Sequence, residues 1–187
     1  MWVVAGAPGA GKSTVADLLT AALEHAGRPP AVLDKDTLFS GFVAEVQAAH
    51  GREPGEREGP WYDAHVKAHE YRGMTAAAAQ IRAGGCPVLL VGPFTEQIRD
   101  ADRWQAWTRD LGGQPVHLWW VRVDADTLHR RLVARGSDRD AGKLATFDAF
   151  LARMRPDEPP PAPHLVLDNR AGAPPLADQV RMLLDRV

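Results

Sequence analysis

The 187-residue sequence has little cysteine, no long apolar run and almost no excess charge of either sign. Its single cysteine, Cys86, excludes an internal disulfide and is typical of a protein in the reducing cytosol. No apolar run approaches the roughly 20 residues of a membrane-spanning helix, and no signal peptide is visible. The formal net charge of −2 gives no general attraction for nucleic acids or anionic membranes. The composition therefore predicts a soluble, cytoplasmic protein.

Short apolar segments alternate along the chain with segments of helical periodicity. This alternation predicts an α/β fold with a parallel sheet, built as one domain over residues 1–187. The predicted strands are 2–5, 31–33, 87–91, 116–123 and 164–167. The predicted helices are 12–25, 37–49, 61–83 with a soft break at Gly73, 97–111, 125–134, 143–154 and 175–186. The polar segment 50–60 and the charged segment 135–142 are predicted to be loops.

Nine residues after the first strand contain the pattern G-x-x-x-x-G-K-[ST]; they are Gly6, Ala7, Pro8, Gly9, Ala10, Gly11, Lys12, Ser13 and Thr14. Glycines let backbone N–H groups approach a phosphate chain closely, and the helix that follows directs its positive dipole end at the same anion. The lysine is suited to reach the β- and γ-phosphates, and the Ser13 hydroxyl to bind Mg²⁺. With a strand before it and a helix after it, the pattern predicts a P-loop that binds ATP and Mg²⁺.

Two carboxylates, Asp34 and Asp36, follow the second predicted strand, at the edge of the sheet where the P-loop lies. Asp36 is predicted to accept the proton of a hydroxyl that attacks the γ-phosphate, or to bind Mg²⁺ directly or through water. Capping of the next helix by Asp36 is an alternative that is compatible with either role. Asp34 is predicted to contact the substrate.

Basic side chains are spaced through residues 130–143, which are predicted to form a short lid. Arg131 and Arg135 share a helix face through their i,i+4 spacing, so both could neutralise charge on a transferring phosphoryl group. Arg139 is a further candidate for contact with the nucleotide. The alternative is a solvated surface with salt bridges, because Asp138 and Asp140 lie among these arginines.

These segments together resemble the small P-loop kinases, a group with polynucleotide 5′-kinase domains, gluconate kinases, zeta-toxin-like kinases and chloramphenicol phosphotransferase. The resemblance rests on the P-loop, on the Asp-Lys-Asp sequence at 34–36 and on the pair Arg131 and Arg135. It implies a three-layer P-loop NTPase sandwich with a five-stranded parallel sheet in the order 2-3-1-4-5 and an arginine-rich lid. It also implies that Asp36 is the general base and that Arg135 stabilises the transition state.

The sequence departs from these kinases at two places. Many relatives carry a Walker B aspartate after the third strand, but residues 91–95 read Val-Gly-Pro-Phe-Thr. Magnesium would then depend on Ser13, the nucleotide, water and Asp36. Phe39 stands where polynucleotide kinases carry an arginine, so the acceptor side is expected to suit a small, partly apolar alcohol better than a nucleic-acid end.

The resemblance places the acceptor in the segment 37–85 and beyond the third strand. The predicted acceptor contacts are Asp34, Phe39, Phe42, Tyr62, His65, His69, Arg72, Thr95 and Arg99. Tyr62, His65 and His69 are spaced i, i+3 and i+7, so they share one helix face, which could equally be the edge of a packed amphipathic helix. A zinc site at the two histidines is disfavoured, because no third ligand has a suitable spacing.

The resemblance also implies that the loop after the last strand, with Asn169 and Arg170, lies against the adenine; a simple turn is the alternative. Four tryptophans lie among apolar residues and are predicted to be core or interface residues rather than a surface for stacking bases: Trp104, Trp107, Trp119 and Trp120.

The sequence thus favours an ATP-dependent kinase that transfers the γ-phosphate to a hydroxyl of a small molecule, such as a sugar, a nucleoside-like metabolite or an antibiotic. A polynucleotide 5′-hydroxyl kinase is the alternative among enzymes. An ATPase or GTPase switch is the alternative from another class, disfavoured because the chain has no guanine-reading Asn-Lys-x-Asp sequence and no Walker B acid. A monomer or homodimer is expected, with neither a membrane nor a nucleic acid as partner.

Overall fold

A computed structural model describes residues 1–53 and 59–186 of the chain. The strands are β1 (Trp2–Ala5), β2 (Ala31–Asp34), β3 (Val88–Gly92), β4 (His117–Arg122) and β5 (His164–Asp168). The helices are α1 (Lys12–His25), α2 (Lys35–Ala49), α3 (Pro60–Tyr62), α4 (Ala68–Ala83), α5 (Thr95–Ile98), α6 (Ala101–Asp110), α7 (Ala125–Arg135), α8 (Asp138–Ala145), α9 (Phe147–Met154) and α10 (Leu176–Leu184). Residues 54–58, within the loop predicted at 50–60, lie outside the described residues.

The five strands form one parallel sheet in the order β2-β3-β1-β4-β5, which confirms the predicted order. The register pairs Ala5 of β1 with Gly92 of β3, and Asp34 of β2 with Val91 of β3. The carboxyl ends of these strands therefore meet at one edge of the sheet, where ligands bind in open α/β folds. The P-loop begins at this edge, and Asp34 lies at the same edge.

Alternating strand residues build a core on each face of the sheet. Val4 and Trp119 pack on one face with α1, α7, α9 and α10. Val3 and Trp120 pack on the other face with α4 and α6. The three central strands are buried on both faces, which explains why their sequences are apolar throughout rather than alternating. All four tryptophans predicted to be in the core are indeed buried there.

The predicted helix at 61–83 is helical from Pro60 to Ala83, but the irregularity lies earlier than Gly73. Residues Asp63–Lys67 form a π-helical turn between α3 and α4. Such turns occur frequently at functional sites, because the extra residue redirects the side chains on either side of it. Gly73 lies inside the regular helix α4, so the break predicted there is wrong.

Two further boundaries differ from the sequence prediction. The helix predicted at 97–111 is two helices, because Asp100 is extended and its carboxylate accepts the Arg103 N–H at 2.8 Å, which starts α6. The charged loop predicted at 135–142 becomes helical again at Asp138, after Gly136 ends α7 with a positive φ.

None of the described helices has both the length and the apolar character needed to span a membrane.

Candidate active site

The P-loop joins β1 to α1 in a tight curve. Gly6, Gly9 and Gly11 have φ values of 153°, 86° and 104°, a region that favours glycine. The Lys12 ammonium donates to the carbonyl of Ala7 at 3.0 Å, so the lysine side chain folds back over the loop. No described side chain caps the start of α1, and its first turn contains no acidic residue. The first N–H groups of α1 are thus suited to bind an anion.

Two of these glycines also lie where a side chain would collide with the protein. A Cβ atom at Gly6 would be 2.8 Å from the carbonyl oxygen of Val121, and a Cβ atom at Gly11 would overlap the side-chain amide of Asn169. The collision at Gly6 is with backbone, so no rotamer change can relieve it, whereas the collision at Gly11 is with the end of a side chain. Packing therefore adds to the conformational requirement for glycine most strongly at Gly6.

We expect Gly11→Ala to weaken ATP binding by at least about tenfold. The left-handed conformation costs an alanine roughly 1–2 kcal/mol, and the Asn169 amide must move aside and give up its hydrogen bond to the Ala10 carbonyl of the P-loop. Calorimetric titration with a non-hydrolysable ATP analogue measures the effect. Gly27→Ala is the matched control, because Gly27 also has a positive φ but a Cβ atom there meets nothing within 4 Å. Equal losses of ATP affinity in the two variants would contradict this account.

Partial burial at the cavity wall makes Lys12 an unusual lysine. Desolvation lowers the Lys12 pKa from 10.5 to about 8, although Asp36 and Asp34 nearby oppose the shift. A bound triphosphate would supply the negative charge that this partly desolvated ammonium lacks. The Lys12 pKa in the complex should therefore be higher than in the free protein.

We expect ATP affinity to fall as the pH rises past the Lys12 pKa of about 8. Below that pH the lysine is already protonated in the free protein, whereas above it binding must take up a proton. The affinity should decrease by about tenfold between about pH 7.5 and pH 9, measured by calorimetry in buffers of different ionisation enthalpy. The Lys12→Met variant is the control, since its weaker binding should lack this pH dependence. A wild-type affinity independent of pH over this range would contradict the prediction.

Arg131 and Asn169 fasten the P-loop to the segment that follows β5. The Arg131 guanidinium donates to the backbone and side-chain oxygens of Asn169 at 3.0 and 3.1 Å and to the carbonyl of Ala10 at 3.4 Å. The Asn169 amide donates to the same Ala10 carbonyl at 2.7 Å. Arg170, in contrast, forms a two-point ion pair with Asp168 at 2.9 and 2.7 Å. Asn169 therefore contacts the P-loop, whereas Arg170 is engaged with its own strand end; contact of this loop with the adenine stays a prediction.

The predicted lid is organised around a buried carboxylate. Asp140 has no exposed surface; it accepts from Arg135 Nε at 2.6 Å and from the Lys143 ammonium at 3.2 Å. These contacts are the salt bridges that the sequence analysis gave as the alternative to a phosphate-binding lid. Arg135 and Lys143 nevertheless both line the cavity above the P-loop. The two roles coexist, because the ion pairs hold both cations at the cavity wall. The side chain of Arg139 lies outside the described part of the structure.

Asp34 and Asp36, the two carboxylates at the end of β2, have different roles. Asp34 is extended and accepts the N–H of Thr37 at 2.8 Å, so Asp34 caps α2. The cap that the sequence suggested for Asp36 is therefore wrong, because α2 begins one residue earlier, at Lys35. Asp36 lies in the first helical turn, with 48% of its side chain exposed at the cavity wall. A half-exposed carboxylate beside the phosphate loop can reach a substrate hydroxyl.

A single cavity of about 590 Å³ collects these groups at the carboxyl edge of the sheet. Its walls include the P-loop, Asp34 and Asp36, the two lid arginines, and Tyr62 and Thr95 from the predicted acceptor side. The other predicted acceptor contacts are not among its described lining residues: Phe39, Phe42, His65, His69, Arg72 and Arg99. The structure thus brings the nucleotide and catalytic candidates together but only part of the acceptor set.

Each residue outside the cavity has other contacts or faces solvent. Phe39 packs against the buried Val43, and Phe42 is 68% exposed. His65 lies against the ring of Trp61, and His69 contacts Arg72 at 3.2 Å. The Arg99 guanidinium donates to backbone carbonyls at the end of α9, including that of Met154 at 3.2 Å, so it joins the end of α5 to the end of α9.

Sequence reasoning missed a buried ion pair beside the acceptor half of the cavity, the part lined by Lys35, Tyr62, Asp63, Lys67, Thr95 and Glu96. Lys35, which stands between the two aspartates in the sequence, is buried at the cavity wall and contacts the buried Glu70 of α4 at 3.2 Å. One signal was present: Glu70 is a charged residue in the buried i,i+4 stripe Val66, Glu70, Met74 and Ala78. A carboxylate on such a face needs a buried partner.

The residues present fit a magnesium ion that is shared with a nucleotide. The described residues contain no cluster of three or more His, Cys, Asp or Glu side chains that could hold a metal by themselves. Ser13 and Asp36 offer a hydroxyl and a carboxylate to the same cavity. Oxygen ligands of this kind, with phosphates and water completing the shell, are the set that Mg²⁺ prefers.

The sequence profile of the AAA domain family matches residues 1–157. No protein of curated function matches the chain.

Solved structures resemble this fold over almost its whole length. An unliganded sugar kinase of Janibacter superposes with a TM-score of 0.64 at 16% identity, covering 98% of this chain and 91% of the other. A candidate kinase of Chloroflexus aurantiacus gives a TM-score of 0.67 at 21% identity, covering 99% and 93%. The APS kinase of Mycobacterium tuberculosis, in complex with AMPPNP and APS, gives 0.53 at 17% identity, covering 98% and 95%. The predicted P-loop kinase fold is confirmed, and this fold implies nucleotide binding.

Proposed function

This chain belongs to the AAA domain family, and from this membership and the site described above we infer that it is an ATP-dependent kinase acting on a hydroxyl of a small molecule. The observation that carries the proposal is the shared cavity. A phosphate-binding loop, a half-exposed carboxylate and a pair of arginines open into the same 590 Å³ space. That space has room for a nucleotide and a small acceptor side by side.

In the proposed reaction the acceptor oxygen attacks the γ-phosphorus of ATP. The bond between the γ-phosphorus and the bridging oxygen breaks, ADP leaves, and the hydroxyl proton passes to the carboxylate of Asp36 and then to solvent. The P-loop N–H groups and Lys12 hold the phosphates, while Arg135 offsets the negative charge on the transferring group. Magnesium, held by Ser13 and the phosphates and reached by Asp36 only through water, would supply further positive charge to the phosphate chain.

The charges around the acceptor half of the cavity favour an acceptor that carries no anionic group. Both described lysines of this half are engaged by carboxylates: Lys35 by Glu70 at 3.2 Å, and Lys67 by Glu96 at 2.8 Å and Asp63 at 3.2 Å. A phosphate or sulfate on the acceptor would have to displace these pairs beside further acidic side chains. Neutral sugars, polyols and nucleosides are the acceptors that suit this half best.

The proposal is tested by measuring ADP formation from ATP and Mg²⁺ against a panel of possible acceptors. The panel contains neutral sugars, nucleosides, hydroxylated antibiotics, a phosphorylated sugar and a 5′-hydroxyl oligonucleotide. Stimulation by one neutral alcohol, lost in Asp36→Asn, is the expected result. Stimulation by the oligonucleotide alone, with steep salt dependence, would favour a polynucleotide kinase. Turnover indifferent to every acceptor would favour an ATPase switch.

A further inference from the structure

A buried charged cluster borders the acceptor half of the cavity and has no part in the mechanism above. The Lys35 cluster, as we name it, consists of Lys35, Tyr62 and Glu70. The lysine ammonium lies 3.2 and 3.4 Å from the two Glu70 carboxylate oxygens and 3.3 Å from the Tyr62 hydroxyl. The Tyr62 hydroxyl in turn donates to Glu70 Oε2. The side chains of Lys35 and Glu70 are only 9% and 2% exposed.

Stability alone gives little reason for such a cluster. Transferring two charges out of water costs free energy that their attraction often only offsets, and apolar residues of similar volume are frequently as stable. At Glu70 the neighbours on the same helix stripe are Val66 and Met74, so an apolar side chain would continue the pattern. The retained charges indicate a task at the cavity.

The cluster reaches the cavity through Asp36. The Lys35 ammonium lies 3.6 Å from Asp36 Oδ1. The lysine is fixed on its protein side by Glu70 and Tyr62, whereas the Asp36 carboxylate is 48% exposed at the cavity wall. An anchored cation beside a carboxylate favours the orientations of that carboxylate that keep the pair close.

We propose that Lys35, held in place by Glu70 and Tyr62, is a positioning residue that orients the Asp36 carboxylate for phosphoryl transfer. The proposal rests on the proposed function, in which Asp36 accepts the hydroxyl proton. Misplacement of a reacting group by about 1 Å can cost roughly 100-fold in rate, so orientation is worth a large factor here. The proposal also gives Tyr62 a different role from the direct acceptor contact expected from the sequence.

The test removes both buried charges together, so that neither is left without its partner. Lys35→Met/Glu70→Leu should keep the Tm within a few degrees and the affinity for an ATP analogue within about threefold. Its rate of ADP formation, measured with Mg²⁺ and with water or the best alcohol of the panel as acceptor, should fall at least about tenfold. A matched control is Asp178→Asn/Arg181→Gln, which removes an exposed ion pair of 3.5 Å on α10, away from the cavity. This control should keep the wild-type rate.

Adding Asp36→Asn distinguishes positioning from a general loss of structure. If Lys35 acts through Asp36, then Lys35→Met/Glu70→Leu/Asp36→Asn should be no slower than Asp36→Asn alone. A triple variant whose loss of rate is the product of the losses in Lys35→Met/Glu70→Leu and in Asp36→Asn would overturn the proposal. A wild-type rate in Lys35→Met/Glu70→Leu would also overturn it. Should that variant fail to fold, Lys35→Gln/Glu70→Gln keeps a polar contact without the charges, and the same comparison applies. An Asp36→Asn variant with the wild-type rate would instead refute the role of Asp36 as base, on which the proposal rests, whereas the acceptor panel tests the kinase function itself.

Discussion

Asp36→Asn is expected to lower the rate of phosphoryl transfer by roughly 10²–10⁴-fold while changing ATP affinity by less than about threefold. Asparagine keeps the size of the side chain and one oxygen acceptor, but it cannot take up a proton at neutral pH. Asp36 lies beyond the P-loop, half exposed in the cavity and close to the buried Lys35 ammonium. The loss should therefore fall on kcat, because the contacts that bind the nucleotide are made by other residues.

The measurement combines steady-state ADP formation with calorimetric titration of an ATP analogue. Asp178→Asn serves as the matched control, since Asp178 is an exposed aspartate of α10 that does not line the cavity. The control should retain both rate and affinity. Equal losses of ATP affinity and rate in Asp36→Asn would mean that Asp36 acts mainly through the nucleotide or its metal ion, and would contradict its role as the base.

Lys12→Met is expected to abolish both tight ATP binding and transfer, with a loss of rate on the order of 10²–10³-fold or more. The ammonium is the only lysine charge within the P-loop, and it is held over the loop by its hydrogen bond to Ala7. In the free protein that charge is poorly solvated, which lowers the Lys12 pKa to about 8. The empty protein should therefore be at least as stable with methionine, so a loss of binding cannot be attributed to unfolding.

Thermal unfolding without nucleotide measures the stability of the Lys12→Met protein, and titration with an ATP analogue measures its loss of binding. Lys67→Met is the matched control, because it removes a lysine charge from the acceptor half of the same cavity. Its affinity for the analogue should stay within about threefold of wild type. A Lys12→Met protein that binds the analogue as tightly as wild type would show that the phosphates do not lie in the P-loop.

The strands and the P-loop could be predicted from the sequence because their signals are local. Each central strand is an apolar run, and Gly6, Gly11 and Lys12 are fixed by a short pattern with a strand and a helix beside it. The order of the strands came from the resemblance to P-loop kinases. The position of Asp36 near the P-loop followed from the same topology, since parallel strands end at one edge of the sheet.

The acceptor side could not be predicted in the same way, because its geometry depends on helix orientation. The π-helical turn at Asp63–Lys67 changes which residues of α3 and α4 face the cavity, and no periodicity rule includes that extra residue. Tyr62 therefore reaches the cavity wall, whereas His65 and His69 do not. The ion pair between Arg135 and Asp140 could not be predicted for a similar reason: residues 138–142 form part of a helix, whereas the sequence predicted a loop.

Transfer of the γ-phosphate itself is the most direct test of the central claim. ATP labelled with ¹⁸O in the γ-phosphate is incubated with the protein, Mg²⁺ and the panel of alcohols, and the products are separated and weighed by mass spectrometry. The account predicts that the labelled phosphoryl group appears as an ester on one neutral alcohol, and that Asp36→Asn removes this product. Label found only in inorganic phosphate, whatever alcohol is present, would contradict the account and identify the protein as a nucleotide hydrolase.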